Sequence, residues 1–151
     1  MKTLFYIGLI YAAYRVIKGG VNMVVDQADY MARTIYGEAR GEPAPQGWQA
    51  VANVIMNRVK KGGWYGASVK DVVLKPYQFS CWNKSDINRN IILSATQAQL
   101  APFRAIAERA LAGELPDITG GAVNYHAKGV TPYWAAKMTK TATIGNHIFY
   151  A

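Results

Sequence analysis

Helix-like and strand-like patterns occupy separate parts of this chain, and that order limits the folds open to it. Apolar residues recur at helical spacing within 28–39 and again within 48–59. Short strand-like runs come only later, and two of them, 139–144 and 147–150, flank Gly145-Asn146, a pair that favours a two-residue hairpin turn. This order predicts a single α+β domain, with helices first and a small C-terminal antiparallel sheet.

Capping and helix-breaking residues predict the ends of these elements. Asp26 is the candidate cap of the first helix, and Gly41 with Pro43 ends it. A second helix is expected over 46–61, before a pair of glycines. We further predict a short helix between Ser68 and Pro76, an extended segment at 77–82, a surface loop at 83–90, and a helix with Pro102 in its first turn.

The charge balance indicates polyanionic partners. Lys and Arg number 17 against 9 Asp and Glu, which gives a formal net charge of +8. Such an excess suits nucleic acid, anionic lipid, or a bacterial wall that carries carboxylates and phosphates. We expect no nucleic-acid partner, because neither a helix-turn-helix nor an RNA-recognition signature is present. Nothing in the sequence suggests self-association, so we expect a monomer.

Residues 1–25 have a different character from the rest. Lys2 precedes an uncharged run rich in apolar residues, which ends at Arg15. As a helix, 4–14 would span only about 17 Å, against the ~30 Å of a hydrocarbon core. We predict a signal-anchor-like hydrophobic helix in 1–25, in contact with a membrane through 3–17, and a folded domain in 26–151. An amphipathic helix packed on its own domain or on a partner is the alternative. The signal-anchor hypothesis predicts an exported or membrane-tethered protein.

The single cysteine, Cys81, excludes an intrachain disulfide, so the fold must rest on packing. Between Phe79 and Trp82, this residue suits a small space in the core. A catalytic thiolate is the alternative, although only two histidines, His126 and His147, could activate it.

Glu38 is the best candidate for acid chemistry. It lies at the edge of the apolar stripe of the first helix and in its last turn. Partial burial and the negative end of a helix both favour a protonated carboxyl, which is what a general acid requires. The same position also suits a glutamate paired with Arg33 or Arg58. Glu42 lies one turn on and so on the same side, whereas a pair of hydrolytic carboxylates must flank the bond; we expect a structural role for it.

Several motifs, in order, carry a family resemblance. They are Gly37-Glu38-Ala39-Arg40-Gly41-Glu42, Ala50-Val51-Ala52-Asn53-Val54-Ile55-Met56-Asn57-Arg58-Val59, Tyr77-Gln78-Phe79-Ser80, Tyr125-His126, Pro132-Tyr133-Trp134-Ala135 and Ile144-Gly145-Asn146-His147. The chain resembles the SleB-like, spore-cortex-lytic cell wall hydrolases over roughly 29–150, in the branch found in Gram-negative bacteria and their phages. This resemblance implies a lysozyme-like fold and cleavage between N-acetylmuramic acid and N-acetylglucosamine.

The resemblance also implies roles for particular residues. Glu38 would be the catalytic acid of a lytic transglycosylase, which needs no metal or organic cofactor, and Glu42 and Arg58 would support it. Peptidoglycan glycan strands would be the partner. We expect the strand to be held by aromatic and polar residues, some of which could equally serve the core: Tyr77, Gln78, Phe79, Ser80, Asn124, Tyr125, His126 and Trp134.

Two other functions stay open at this point. The first is a zinc-dependent N-acetylmuramoyl-L-alanine amidase, with zinc held by His126, His147 and Cys81 or an acid. The second is a basic, aromatic module that binds the wall without cleaving it. The origin is also open between a phage endolysin, a virion-associated enzyme and a bacterial remodelling enzyme.

Overall fold

The computed structural model describes the backbone of residues 20–151 and the side chains from residue 27 onward. The predicted membrane-contacting stretch at 3–17 lies outside the described residues. Five α-helices are present in this range: α1 (Gly20–Ala39), α2 (Gln46–Lys61), α3 (Val69–Leu74), α4 (Ile87–Ser94) and α5 (Gln97–Leu111). Three short 3-10 helices cover Gly63–Tyr65, Ser80–Trp82 and Ala135–Lys137. Three strands follow α5: β1 (Asn124–Ala127), β2 (Lys140–Ile144) and β3 (His147–Tyr150).

Helix α1 lies at the centre of the helical part and contacts all four of the other helices. Its buried face includes Met31 and Ile35, both fully inaccessible to solvent. Burial of such side chains stabilises the fold by about 1.5–3 kcal/mol each, which is enough to fix this face without any cross-link. One end of α1 therefore has a fixed position, and that end carries Glu38.

The small sheet packs against α2 through a second core. Its strands are antiparallel in the order β1-β3-β2, and Gly145-Asn146 forms the tight turn between β2 and β3. Phe149 on β3 is buried against Ala50 and Val54 of α2. Helix α2 also packs on α1, and Tyr125 of β1 reaches Glu38 in the last turn of α1.

The structure confirms the predicted α+β order, the second helix and the hairpin. It also confirms the short helix after Ser68, whose hydroxyl accepts a hydrogen bond from the backbone N–H of Asp71. Between residues 20 and 151, no helix combines the length and the apolar character needed to cross a membrane.

Other predicted boundaries are wrong. Helix α1 starts before Asp26, so this residue does not cap it. The segment 77–82 is a turn followed by a 3-10 helix rather than extended chain, and the predicted loop at 83–90 contains the start of α4, capped by Asp86. Helix α5 starts at Gln97 because Thr96 and Gln99 form a capping box, which places Pro102 in its second turn.

Candidate active site

The carboxyl group of Glu38 lies between α1 and the sheet and is half-buried. The backbone N–H of Cys81 donates to Oε1 at 3.3 Å, and the hydroxyl of Tyr125 donates to Oε2 at 3.0 Å. Two donors from distant parts of the chain therefore hold one acid in a fixed orientation. Hydrogen bonds of this kind are strongest when the acceptor is ionised.

Gly37 makes the contact between Glu38 and Cys81 possible. A Cβ atom at this position would lie 2.7 Å from the Cβ of Cys81 and 2.9 Å from its Sγ, closer than real side chains approach. The absence of that atom lets the 3-10 helix Ser80–Trp82 pack directly on the last turn of α1. Glycine at this position thus allows the backbone N–H of Cys81 to reach the carboxyl beside it.

Cys81 itself is a core residue. Its side chain is 1% exposed, and burial, followed by the negative charge of Glu38, raises the pKa of its thiol well above the usual range. A thiol in this state has almost no nucleophilic thiolate at neutral pH. The structure therefore agrees with the prediction of a space-filling cysteine and not with that of a catalytic one.

Tyr125 projects from β1 and is neutral. Burial, and then the charge of Glu38 and the hydrogen bond to it, raise the pKa of its hydroxyl well above the ordinary value. The hydroxyl therefore keeps its proton and can donate to Glu38 throughout the neutral range. The ring packs on Phe149 of β3, with centroids 5.4 Å apart, so the position of this donor depends on the sheet.

Arg58 is a buried cation next to the same site. Its Nε donates to the carbonyl of Val123 at 2.7 Å and its Nη2 to Oδ1 of Asn124 at 3.2 Å. The guanidinium lies 4.8 Å from the ring centroid of Phe79, a cation–π contact. Burial lowers the pKa of its guanidinium. Among the described residues, its Nη1 has no hydrogen-bond partner.

A cleft of about 420 Å³ opens next to this cluster. Six aromatic side chains line it: Trp64, Tyr65, Tyr77, Tyr125, Tyr133 and Trp134. Three polar residues complete the lining: Arg58, Gln78 and Asn124. Tyr77 is 86% exposed and Tyr133 84% exposed, so these two rings serve no core. We call this space the aromatic cleft; Tyr125 connects it to Glu38.

Glu42 has different partners from Glu38. Its Oε2 accepts a hydrogen bond from the backbone N–H of Asn146 at 2.9 Å, and its Oε1 lies 3.2 Å from Nδ1 of His147. Gly145, with φ of +56°, passes so close that a Cβ there would collide with the carboxylate. Glu42 thus links the end of α1 to the β2–β3 turn and is not among the residues that line the cleft.

Of the eight predicted binding residues, five line the aromatic cleft and three do not. Tyr77, Gln78, Asn124, Tyr125 and Trp134 come together in the aromatic cleft, although they derive from two parts of the chain.

Phe79 was expected to bind substrate, and that prediction is wrong, because the ring is 1% exposed and lies in the core under Arg58. Ser80 is exposed but not among the lining residues. Nε2 of His126 is hydrogen-bonded to the hydroxyl of Tyr150 at 2.9 Å, and its ring centroid lies 5.7 Å from that of Trp134, but His126 is not among the lining residues.

Sequence reasoning missed three aromatic residues of the cleft. Trp64 and Tyr65 lie in the turn after α2, bounded by glycines, and Tyr133 precedes the predicted Trp134. An aromatic pair in a glycine-rich turn is unusual, because surface turns favour small polar residues. The aromatic pair between glycines was therefore the sequence signal that could have identified Trp64 and Tyr65 as cleft residues.

The zinc site of the alternative amidase hypothesis is not formed. Across residues 27–151, no three His, Cys, Asp or Glu side chains are grouped closely enough to hold a metal ion. His147 pairs with Glu42, whereas His126 bonds to Tyr150.

The family follows from comparison with known proteins. A family model described as cell wall hydrolase matches residues 41–150 of the chain. The chain belongs to the cell wall hydrolase family. The matched residues begin just after Glu38, so the place of that residue in the site rests on the geometry above.

Similar proteins agree with this membership and confirm the SleB-like resemblance. The chain is 34% identical to the spore cortex-lytic enzyme of Halalkalibacterium halodurans over 120 residues, and it spans about a third of that relative's length. Its fold matches the crystal structure of the catalytic domain of the Bacillus cereus SleB protein, with a TM-score of 0.67 and 29% identity over 83% of this chain and 90% of the other.

A second solved structure is similar to the same extent. It is the catalytic domain of the germination-specific lytic transglycosylase SleB from Bacillus anthracis, with a TM-score of 0.66 and 29% identity over 83% of this chain and 94% of that one. The helical core and small sheet of this cell wall hydrolase therefore correspond to a catalytic domain.

Proposed function

We propose that this cell wall hydrolase is a lytic transglycosylase that cleaves the β-1,4 bond between N-acetylmuramic acid and N-acetylglucosamine in peptidoglycan. The observation that carries the proposal is the carboxyl group of Glu38, held by Cys81 N–H and Tyr125 O–H beside the aromatic cleft. The lytic transglycosylase among the similar solved structures supports the same reaction.

In this reaction Glu38 protonates the glycosidic oxygen, and the bond from that oxygen to C1 of the muramoyl sugar breaks. The C6 hydroxyl of the same sugar attacks C1 and gives its proton to the Glu38 carboxylate. The attack is intramolecular, so its effective concentration far exceeds that of a free alcohol. The donors from Cys81 and Tyr125 stabilise the carboxylate while it is charged.

A single acid is sufficient for this route. A hydrolase with two carboxylates needs the second on the far side of the bond. Of the cleft-lining residues that the structure describes, none is acidic, and Glu42 is bonded to the β2–β3 turn. The aromatic walls fit this use, since exposed rings pack well on the apolar faces of sugars. Gln78 and Asn124 supply the hydrogen bonds for N-acetyl groups.

The proposed reaction takes place on the cell wall, so the protein must reach the periplasm or the outer side of the membrane. A signal-anchor-like segment in 1–25 would accomplish export or tethering, and a virion is a second route of delivery. The net charge of +8 suits a wall rich in carboxylates and phosphates. Cell fractionation would test this location.

Mass spectrometry of the released muropeptides tests the reaction. Intramolecular attack gives a 1,6-anhydro product ~18 Da lighter than the hydrolysed one. We expect that anhydro product, unchanged in yield when a chelator is added. A hydrolysed sugar would show that water is the nucleophile. Free stem peptides, lost with chelator and restored by zinc, would show an amidase, and binding without release would show a wall-binding module.

A further inference from the structure

A second cavity of about 450 Å³ adjoins the aromatic cleft. Tyr77 lines both spaces and forms the ridge between them. Lys75 of the second cavity has its Nζ 4.3 Å from the ring centroid of Trp64, which lines the cleft. The two spaces are therefore neighbours on one surface. We call the second one, bounded by 74–77 and 82–85, the side cavity.

The chemistry of the side cavity differs from that of the cleft. Its apolar surface comes from Leu74, Pro76 and the ring of Trp82, which is held in place by a hydrogen bond from Nε1 to Oγ1 of Thr34 at 2.9 Å. Two lysines, Lys75 and Lys84, stand on its border. None of the lining residues that the structure describes carries a carboxyl group. An apolar floor beside two cations suits an acidic peptide, whose backbone can pack on the floor and whose carboxylates can pair with the lysines. A neutral sugar offers no charge for the lysines to pair with.

The ridge is held in an unusual backbone conformation. Tyr77 has φ of 64°, in the left-handed region that bulky residues avoid. Its ring is nevertheless 86% exposed, so no core contact compensates for this conformation. Such residues concentrate at ligand-binding sites, where the surrounding structure fixes them. The conformation of Tyr77 keeps one ring between two spaces that a branched ligand could fill together.

We propose that the side cavity binds the acidic peptide stem of the muramoyl residue whose sugar occupies the aromatic cleft. This inference rests on the proposed function. The stem branches sideways from the glycan and carries carboxylates, so it must leave the cleft where it meets a neighbouring space. Lys75 and Lys84 then contact the stem carboxylates, the floor of the cavity contacts the stem backbone, and Tyr77 packs at the branch point.

The test compares two soluble substrates: uncrosslinked glycan strands that carry stem peptides, and the same strands after an amidase has removed them. The test variant is the double substitution Lys75→Gln and Lys84→Gln. We expect its kcat/KM on peptide-bearing strands to fall about fivefold through KM, because each exposed charge pair contributes modestly. On peptide-free strands its loss should be much smaller, limited to the effect of removing the Lys75–Trp64 contact beside the cleft. The difference should shrink at high salt, which screens exposed charges.

The matched control is Lys60→Gln with Lys140→Gln, which removes the same charge from exposed positions that border neither space. It should behave as wild type on both substrates. An equal loss on both substrates in the test variant would overturn the proposal in favour of a further sugar site, and so would no difference from the control. If the wild type cleaved neither the peptide-bearing nor the peptide-free strands, the proposed function itself would be overturned.

Discussion

Glu38 and Glu42 stand one helical turn apart in sequence, yet their surroundings differ completely. Glu38 meets a hydroxyl and a backbone N–H beside an open cleft lined with aromatic rings. Glu42 meets a backbone N–H and an imidazole within a closed contact, where its side chain is 9% exposed. One region leaves its carboxyl next to a space for a ligand, and the other uses its carboxyl to join two parts of the fold.

The comparison shows that two carboxylates of one motif can differ in role because their hydrogen-bond partners differ. Both glutamates come from the same short sequence, and each depends on a glycine that lets its partner approach. The lack of a side chain at Gly37 lets Cys81 approach Glu38, and the lack of one at Gly145 lets the β2–β3 turn approach Glu42. Substitutions in the two regions should therefore affect different measurements.

The largest effect is expected for Glu38→Gln. Glutamine keeps the shape of the side chain but cannot transfer a proton, so cleavage should fall on the order of 10³-fold. The melting temperature should stay within a few degrees of wild type. Release of anhydro-muropeptides measures the first quantity, and thermal unfolding followed by circular dichroism the second. Comparable turnover by this variant would show that Glu38 is not the acid.

A smaller loss of activity is expected for Tyr125→Phe. This change removes one donor to Glu38 and keeps the ring that packs on Phe149. Loss of a donor to a group that becomes charged lowers kcat by roughly 10- to 100-fold. Tyr36→Phe is the matched control, since it also removes one hydroxyl from a partly buried ring of the helical part. Similar activities of the two variants would show that the hydroxyl of Tyr125 does not contribute to cleavage.

The smallest effect on turnover is expected for Glu42→Gln, which should change stability instead. The amide oxygen can still accept from the backbone N–H of Asn146, but the contact of a carboxylate oxygen with Nδ1 of His147 is lost. We expect a loss of about 1 kcal/mol in the free energy of unfolding, with turnover within about threefold of wild type. Chemical denaturation and the muropeptide assay measure the two quantities. If turnover fell as far as in Glu38→Gln, the contrast between the two glutamates would be wrong.

Local patterns predicted the parts of the fold that depend on local forces. The Ser68 cap and the Gly145-Asn146 turn reflect contacts within a few residues, and the stripe of α2 is a periodicity visible within a single helix. The start of α5 was misplaced, because Pro102 looked like a first-turn residue and the reciprocal bonds of Thr96 and Gln99 were overlooked. The 3-10 helix Ser80–Trp82 was missed, since its form follows from packing against Gly37 rather than from propensity.

The partial burial of Glu38 was predictable from the sequence, but the residues that surround it were not. Helical spacing placed Glu38 at the edge of a buried stripe, and the described side chain is half-buried there. Phe79 could not be assigned in this way, because its neighbours in sequence do not decide whether its ring faces the cleft or the core, and the ring is in fact 1% exposed. The environments of Glu38 and Glu42 come from Tyr125, Asn146 and His147, which are distant in sequence.

The hydrogen bond between Tyr125 and Glu38 joins positions 87 residues apart. Contacts of such separation form late, because closing a long loop costs chain entropy before any gain is made. A folding intermediate with only its helices in place would hold the acid without its hydroxyl partner. During refolding, enzymatic activity should therefore return later than the helical signal, and it reports on completion of the sheet.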